Sequence, residues 1–220
     1  MSTVVSAMAG DSNFGTSVTR SLGFTCTIGN TIVIIVRCTQ TVTLTGDFAS
    51  ATLDDTSTGQ SGIAISIYSL KNISTASTTL TMTLGAATTA NCQVIELQGD
   101  NDYVTGSLVR NTVTPGTSLT ATLTDTAAGQ CAIAFNDASN SRTSVSLSGD
   151  VTNLLTNGWL YGMYLASTAG DGTVDCGLTW TGSVNSATVA VLYEESGGSP
   201  PVLAAVPAAQ RNRRSRGRYM

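Results

Sequence analysis

Glu96 and Glu194 are the residues of this chain whose type and spacing come closest to a catalytic pair. Each closes an apolar, strand-like run, and each is followed three residues later by a glycine, Gly99 and Gly197. Two carboxylates brought about 5–10 Å apart can hydrolyse a glycosidic bond, one as acid and the other as base or nucleophile. A single carboxylate at a strand end is also common without any catalytic purpose, and Trp159 and Trp180 are the only tryptophans that could stack on a sugar. Asp47 with Asp54-Asp55, and Asp100 with Asp102, offer the oxygen ligands that Ca²⁺ takes. The stretch Asp100-Asn101-Asp102 lacks the glycine and distal glutamate of a calcium loop. Solvated loops account for both groups, and no metal or other cofactor is expected. Gly158, Gly162, Gly170 and Gly172 have neither a lysine nor a following helix, so they do not form a phosphate-binding loop. Trp159, Tyr161 and Tyr164 form an aromatic cluster that either packs within a sheet or presents a surface patch to a receptor or glycan.

Composition excludes much other chemistry. The chain has no histidine, so a Ser-His-Asp triad, a Cys-His pair and an imidazole metal site are ruled out. Lys71 is the sole lysine. Five cysteines (Cys26, Cys38, Cys92, Cys131 and Cys176) lie in separate apolar runs with no C-x-x-C spacing, the pattern of buried free thiols. The first ten residues lack the basic and apolar regions of a secretory signal, so synthesis in a cytoplasm is expected. No run is long and apolar enough for a transmembrane helix. The net charge of −4 conceals an asymmetry. The first 210 residues hold five basic and all 14 acidic residues, while the last ten hold five arginines. An acidic body of this kind is not expected to bind nucleic acid.

The elements that must position these residues are strands. Of 220 residues, 36 are Thr and 25 are Ser, and Val and Ile are frequent. β-Branched side chains favour the pleated surface. Short alternating runs between Gly, Asn, Asp and Ser clusters predict strands over residues 17–26, 31–38, 41–48, 62–70, 78–84, 92–97, 118–124, 130–136, 143–148, 159–166, 174–180 and 187–193. Residues 31–36 are nearly continuously apolar, which predicts a central strand covered on both faces. The only helical candidate is a turn near 151–155. The spacing argues for an all-β, antiparallel β-sandwich of jelly-roll type over residues 1–197.

A faint repeat runs through this sandwich. Leu80-Thr-Met-Thr with Glu96 and Gly99 lies 98 residues before Leu178-Thr-Trp-Thr with Glu194 and Gly197. Pseudo-symmetry between two halves would produce this, and so would the restricted alphabet of the strands. Residues 198–220 differ in character: a Gly/Ser/Pro spacer leads to a small apolar strip with Val202, Leu203 and Val206, then to Arg211, Arg213, Arg214, Arg216 and Arg218. An extended arm that docks on an acidic partner suits this order, as do a solvated tail and a salt-sensitive contact with nucleic acid.

Gly29-Asn30-Thr31-Ile32-Val33-Ile34, Ser66-Ile67-Tyr68 with Lys71-Asn72, Val94-Ile95-Glu96-Leu97 with Gly99, and Ala190-Val191-Leu192-Tyr193-Glu194 occur in that order. In these segments the chain resembles the Thr/Ser-rich β-sandwich virion proteins of tailed bacteriophages. The resemblance covers about residues 16–197 and is one of texture more than of an exact motif. It implies a non-enzymatic structural protein of the virion, with no catalytic residues to transfer. A capsid decoration or cement protein is the leading expectation, oligomeric and bound to other copies of itself and to the major capsid protein or other virion proteins. A tail, fibre or baseplate component, or a carbohydrate-binding module for the host surface, is the alternative.

Overall fold

The computed structural model describes residues 3–8, 12–157 and 160–197. The expectations placed on Trp159 and on residues 198–220 lie outside the described residues.

Consecutive strands stay together, giving two seven-stranded antiparallel sheets. The first holds β1 (Val4–Met8), β2 (Ser12–Ser21), β3 (Thr31–Cys38), β4 (Val42–Thr45), β5 (Thr52–Thr58), β6 (Ala64–Leu70) and β7 (Thr79–Leu97). The second holds β8 (Asn101–Tyr103), β9 (Val109–Thr126), β10 (Cys131–Ala138), β11 (Thr143–Gly149), β12 (Asn153–Asn157), β13 (Leu160–Leu165) and β14 (Gly172–Glu195). Their strand orders, β1-β7-β3-β6-β5 and β8-β14-β10-β13-β12, match position for position, with β2 and β4 on β7 and β9 and β11 on β14. The register repeats too. Ile34 pairs with Val94, and 98 residues on, Ala132 pairs with Leu192. The spacing seen in the sequence is therefore that of a duplicated strand pattern.

The long strands β7 and β14 explain how one sheet makes two layers. The first half of β7 lies between β2 and β4, and its second half lies between β3 on one side and β1 with the start of β2 on the other. The small residues Gly85, Ala86 and Ala87 fall where the chain passes from one layer to the next. Each unit thus encloses its own core. Ile32, Ile34 and Val36 meet Leu80, Met82 and Leu44 in the first, and Ala132 and Ala134 meet Cys176, Leu178 and Trp180 in the second.

A third core joins the units. Alternate residues of the inner strands (Val33, Ile35, Ile65, Ile67 and Ile95) face Ile133, Phe135, Val189, Val191 and Tyr193. Four β layers enclose three apolar seams. This arrangement covers both faces of β3 and β10, so residues 31–36 and 131–138 are buried without interruption. Such continuous burial is why these two strands carry no polar alternation.

One glycine of the middle seam faces the end of a buried side chain. A Cβ on Gly162 would lie 2.2 Å from Nε2 of Gln93, whose fully buried side chain crosses from the opposite sheet. The five cysteines are buried and outside any disulfide, in agreement with their apolar settings.

The expected helical turn near 151–155 is instead extended: β12 pairs with β13 from Asn153 to Asn157. Leu154 packs toward the second core and Leu155 toward the middle seam, which is strand alternation. Among the described residues the helical content is two 3-10 turns, Gly46–Phe48 and Gln60–Gly62.

Candidate functional site

A β-bulge builds the most polar part of the junction between the units. In a regular strand Asp54 and Asp55 would point to opposite faces. The pairing of β5 with β6 shifts between Leu53 and Asp55, so Asp54 is the extra residue. Both carboxylates consequently reach tyrosines of the second unit. Tyr193 Oη donates to Asp54 Oδ2 at 2.7 Å, and Tyr103 Oη donates to Asp55 Oδ2 at 2.6 Å. Ser69 Oγ adds a second donor to Asp54 at 2.9 Å. The two tyrosine rings meet edge to face, with centroids 5.8 Å apart.

Burial sets the protonation states here. It pushes the Asp54 carboxyl above its ordinary range, against the opposing pull of the Tyr193 and Ser69 hydrogen bonds. It also raises the Tyr103 phenol to about 12, with Asp55 adding to the effect. Tyr193 is raised well above its usual value, first by burial and then by Asp54. Both tyrosines are therefore held as hydrogen-bond donors.

Beside this cluster opens a groove of about 320 Å³. Asp54, Ser69, Lys71, Asp102 and Tyr103 line it, together with Leu53, which is 50% exposed. Lys71 Nζ lies 2.6 Å from Asp102 Oδ1 and 3.2 Å from Asp100 Oδ1. The Lys71 hydrogen bond holds Asp102 below the usual carboxylate range, and Asp102 in turn raises Lys71. Ser196 Oγ donates to Asp102 Oδ2 at 2.7 Å, so the end of the last strand reaches the same carboxylate.

The other end of the junction is also polar. Arg37 Nε lies 2.7 Å from Asp137 Oδ2, and the Gln60 amide donates to the same oxygen at 2.8 Å. Gly59 permits this approach, since a Cβ there would fall 2.6 Å from Asp137 Oδ2. Burial raises the Asp137 carboxyl although Arg37 draws it down. Arg142 lies between the rings of Tyr161 and Trp180, 4.5 and 4.7 Å from their centroids. Its Nη1 donates to Asn136 Oδ1 at 2.5 Å. Burial lowers this guanidinium to about 10, so it remains charged at neutral pH.

The residues singled out in the sequence take different places. Glu96 accepts from the Thr27 amide at 2.8 Å and from Asn30 Nδ2 at 2.7 Å. Glu194 accepts from Gln130 Nε2 at 3.0 Å. Each glutamate fixes the turn that leads into the central strand of its own unit. Glu96 lies on the β7 face that carries Val94, and Glu194 on the β14 face that carries Leu192. These faces look away from each other across the middle seam, so the two carboxylates do not converge.

Tyr161 is buried in the second core and Tyr164 packs from the opposite face of β13 toward the middle seam. The structure does not bring them onto one exposed patch. Among the described residues, no group of three or more Asp, Glu, Cys or His side chains is placed to hold a metal ion. Among the same residues, no helix is long and apolar enough to cross a membrane. What the sequence does not reveal is the role of Tyr103 and Tyr193. Their partners lie 48 and 139 residues away, and only the pairing of the two units brings them together.

The chain matches no protein-family model, and no curated protein or solved structure shows significant similarity to it.

Proposed function

We propose that this chain is a non-enzymatic structural protein of a phage virion, bound to the outer capsid as a decoration or cement protein. The observation that carries the reading is the use of its polar side chains. Glu96, Glu194, Asp137 and Arg142 are all committed to fixing turns or joining layers. The chemistry-bearing groups serve a rigid block whose strands are rich in Thr and Ser. Within this reading the jelly-roll likeness belongs to each unit, an inner layer packed on an outer one. Residues 198–220 act as the arm, with Val202, Leu203 and Val206 followed by the arginines from Arg211 to Arg218 as the partner-binding residues. An arm adds binding area at a neighbour without requiring a large rigid interface.

The test is quantitative mass spectrometry and cryo-electron microscopy of purified particles from the virus that encodes the chain. The reading expects a fixed copy number and density on the capsid shell. Density confined to the tail would favour the fibre or baseplate alternative, and absence from particles would refute both.

A further inference from the structure

We infer that β12 is the edge through which two copies of this chain join, strand to antiparallel strand, about a two-fold axis. The duplicated strand pattern gives the inner layers two equivalent sides, and the sequence treats them differently. Across the middle seam Asp54 of β5 meets Tyr193 of β14, Asp55 meets Tyr103 of β8, and Gln93 of β7 meets Gly162 of β13. β5 therefore lies beside β8 on one side of the molecule. β1 lies beside β12 on the other, where Ala7 and Leu155 both pack on the seam. Traced through β3 and β10, the register puts Asn153 where the first unit has Asp55, and Ala7 where the second has Tyr103.

An open strand edge pairs with other strands unless something blocks it. The side formed by β5 and β8 carries several blocks. β5 is bulged and bears Asp54 and Asp55, β8 has three residues, and Lys71 pairs with Asp102 on it. Arg110 Nε also donates to the Thr58 carbonyl at the end of β5. β12 carries none of these devices. It has no charged residue and no proline, and its five residues pair with β13 without a register shift. Among the described residues, no strand pairs with its other edge. Leu154 and Leu155 are half-buried there, on two different cores. The neighbouring β1 is also uncharged, and Val5 at its bulge is 49% exposed.

The residues of β12 select the occupant. Asn-Leu-Leu-Thr-Asn has nearly the same polar and apolar order in both directions. Antiparallel pairing centred on Leu155 sets Leu155 against its own copy, Leu154 against Thr156, and Asn153 against Asn157. No like charges meet in this register, which a self-pairing edge requires. A two-fold axis normal to the sheet continues the layers of one copy into those of the other, so the seams under Leu154 and Leu155 run on across the contact. The contact is closed: it makes a dimer and uses up the open edge. It does not depend on where the protein works, so its failure would leave the virion reading standing.

The test uses the full-length chain. Sedimentation velocity at micromolar concentration should show a dimer. Thr156→Lys, which brings two ammonium groups together on the pairing edge, should weaken that dimer at least about tenfold with an unchanged circular dichroism spectrum. Thr58→Lys, at the matching place on β5, should leave the dimer intact. Thr156→p-benzoylphenylalanine, in light and heavy isotopic chains mixed and illuminated, should give heavy-to-light cross-links to the peptide containing residues 153–157. This cross-link reads the register even where the lysine variant fails to fold. A monomer, a dimer insensitive to Thr156→Lys, equal loss with Thr58→Lys, or cross-links to any other segment, residues 198–220 included, would overturn the inference.

Discussion

Tyr193 and Asp54 join the two halves of this protein through one hydrogen bond of 2.7 Å, between residues 139 positions apart. The phenol lies at the edge of the middle seam and the carboxylate on the bulge of β5. Removal of the donor leaves a half-buried carboxylate with Ser69 as its remaining side-chain partner. Tyr193→Phe should therefore lower the unfolding free energy by about 1–3 kcal/mol in urea titrations. Asp54→Asn combined with Tyr193→Phe should cost less than the sum of the two single changes. Additive costs would show that the pair does not couple the units.

The same carboxylate predicts a pH dependence of definite sign. Folded Asp54 has a pKa above 3.8, so the folded state holds its proton more tightly than the unfolded chain does. This stabilising contribution is complete below 3.8 and is lost as the pH rises through the folded value. Asp102 has the opposite sign, because Lys71 lowers its pKa below 3.8. Its contribution is present above 3.8 and is lost as the pH falls through the folded value. Stability measured between about pH 3 and 7 should thus change slope in opposite directions in Asp54→Asn and Asp102→Asn. Equal slopes in both variants would contradict the assignments.

Gly162 and Gln93 make a steric prediction across the middle seam. The Cβ of Gly162→Ala would fall 2.2 Å from the end of the Gln93 side chain, which is itself fully buried. The single change should destabilise by about 1–3 kcal/mol, as overpacking does in other cores. Gln93→Ala in the same chain should recover part of that loss, which denaturant unfolding of the four variants would show. An unaltered midpoint in Gly162→Ala would mean that the two sheets do not approach this closely.

Arg142 predicts a fluorescence signature. Its guanidinium lies 4.7 Å from the Trp180 ring and bonds to Asn136. Arg142→Met keeps most of the side-chain volume but removes the charge and its hydrogen bonds. It should cost about 2–4 kcal/mol and alter the emission of Trp180, read against the Trp159→Phe background. Unchanged emission and stability would place Arg142 outside this stack.

The residues that were legible in the sequence are those whose surroundings act evenly along the chain. Residues 31–36 read as a doubly covered strand because three layers bury each of those positions of β3. The 98-residue spacing appeared because both units use the same register on their central strands. β5 was not legible: Thr-Leu-Asp-Asp-Thr-Ser-Thr carries two acids and reads as a loop, yet it is an edge strand whose bulge turns those acids toward the other unit. Asn153-Leu154-Leu155 of β12 lacks alternation and so reads as a turn, although its two leucines serve two different cores. The two halves of β7 and of β14 read as separate strands because small and polar residues mark the passage between layers. At the junction, Asp54, Asp55, Asp100 and Asp102 were visible as acids. Their tyrosine and lysine partners depend on long-range pairing, which local pattern does not encode.

Removal of residues 198–220, followed by measurement of occupancy on bare capsids, bears most directly on the claim that a rigid β block is held in the virion by its arm. The account predicts a body that remains folded by circular dichroism and binds far more weakly, with occupancy falling at least about tenfold. Occupancy equal to that of the full chain would contradict it.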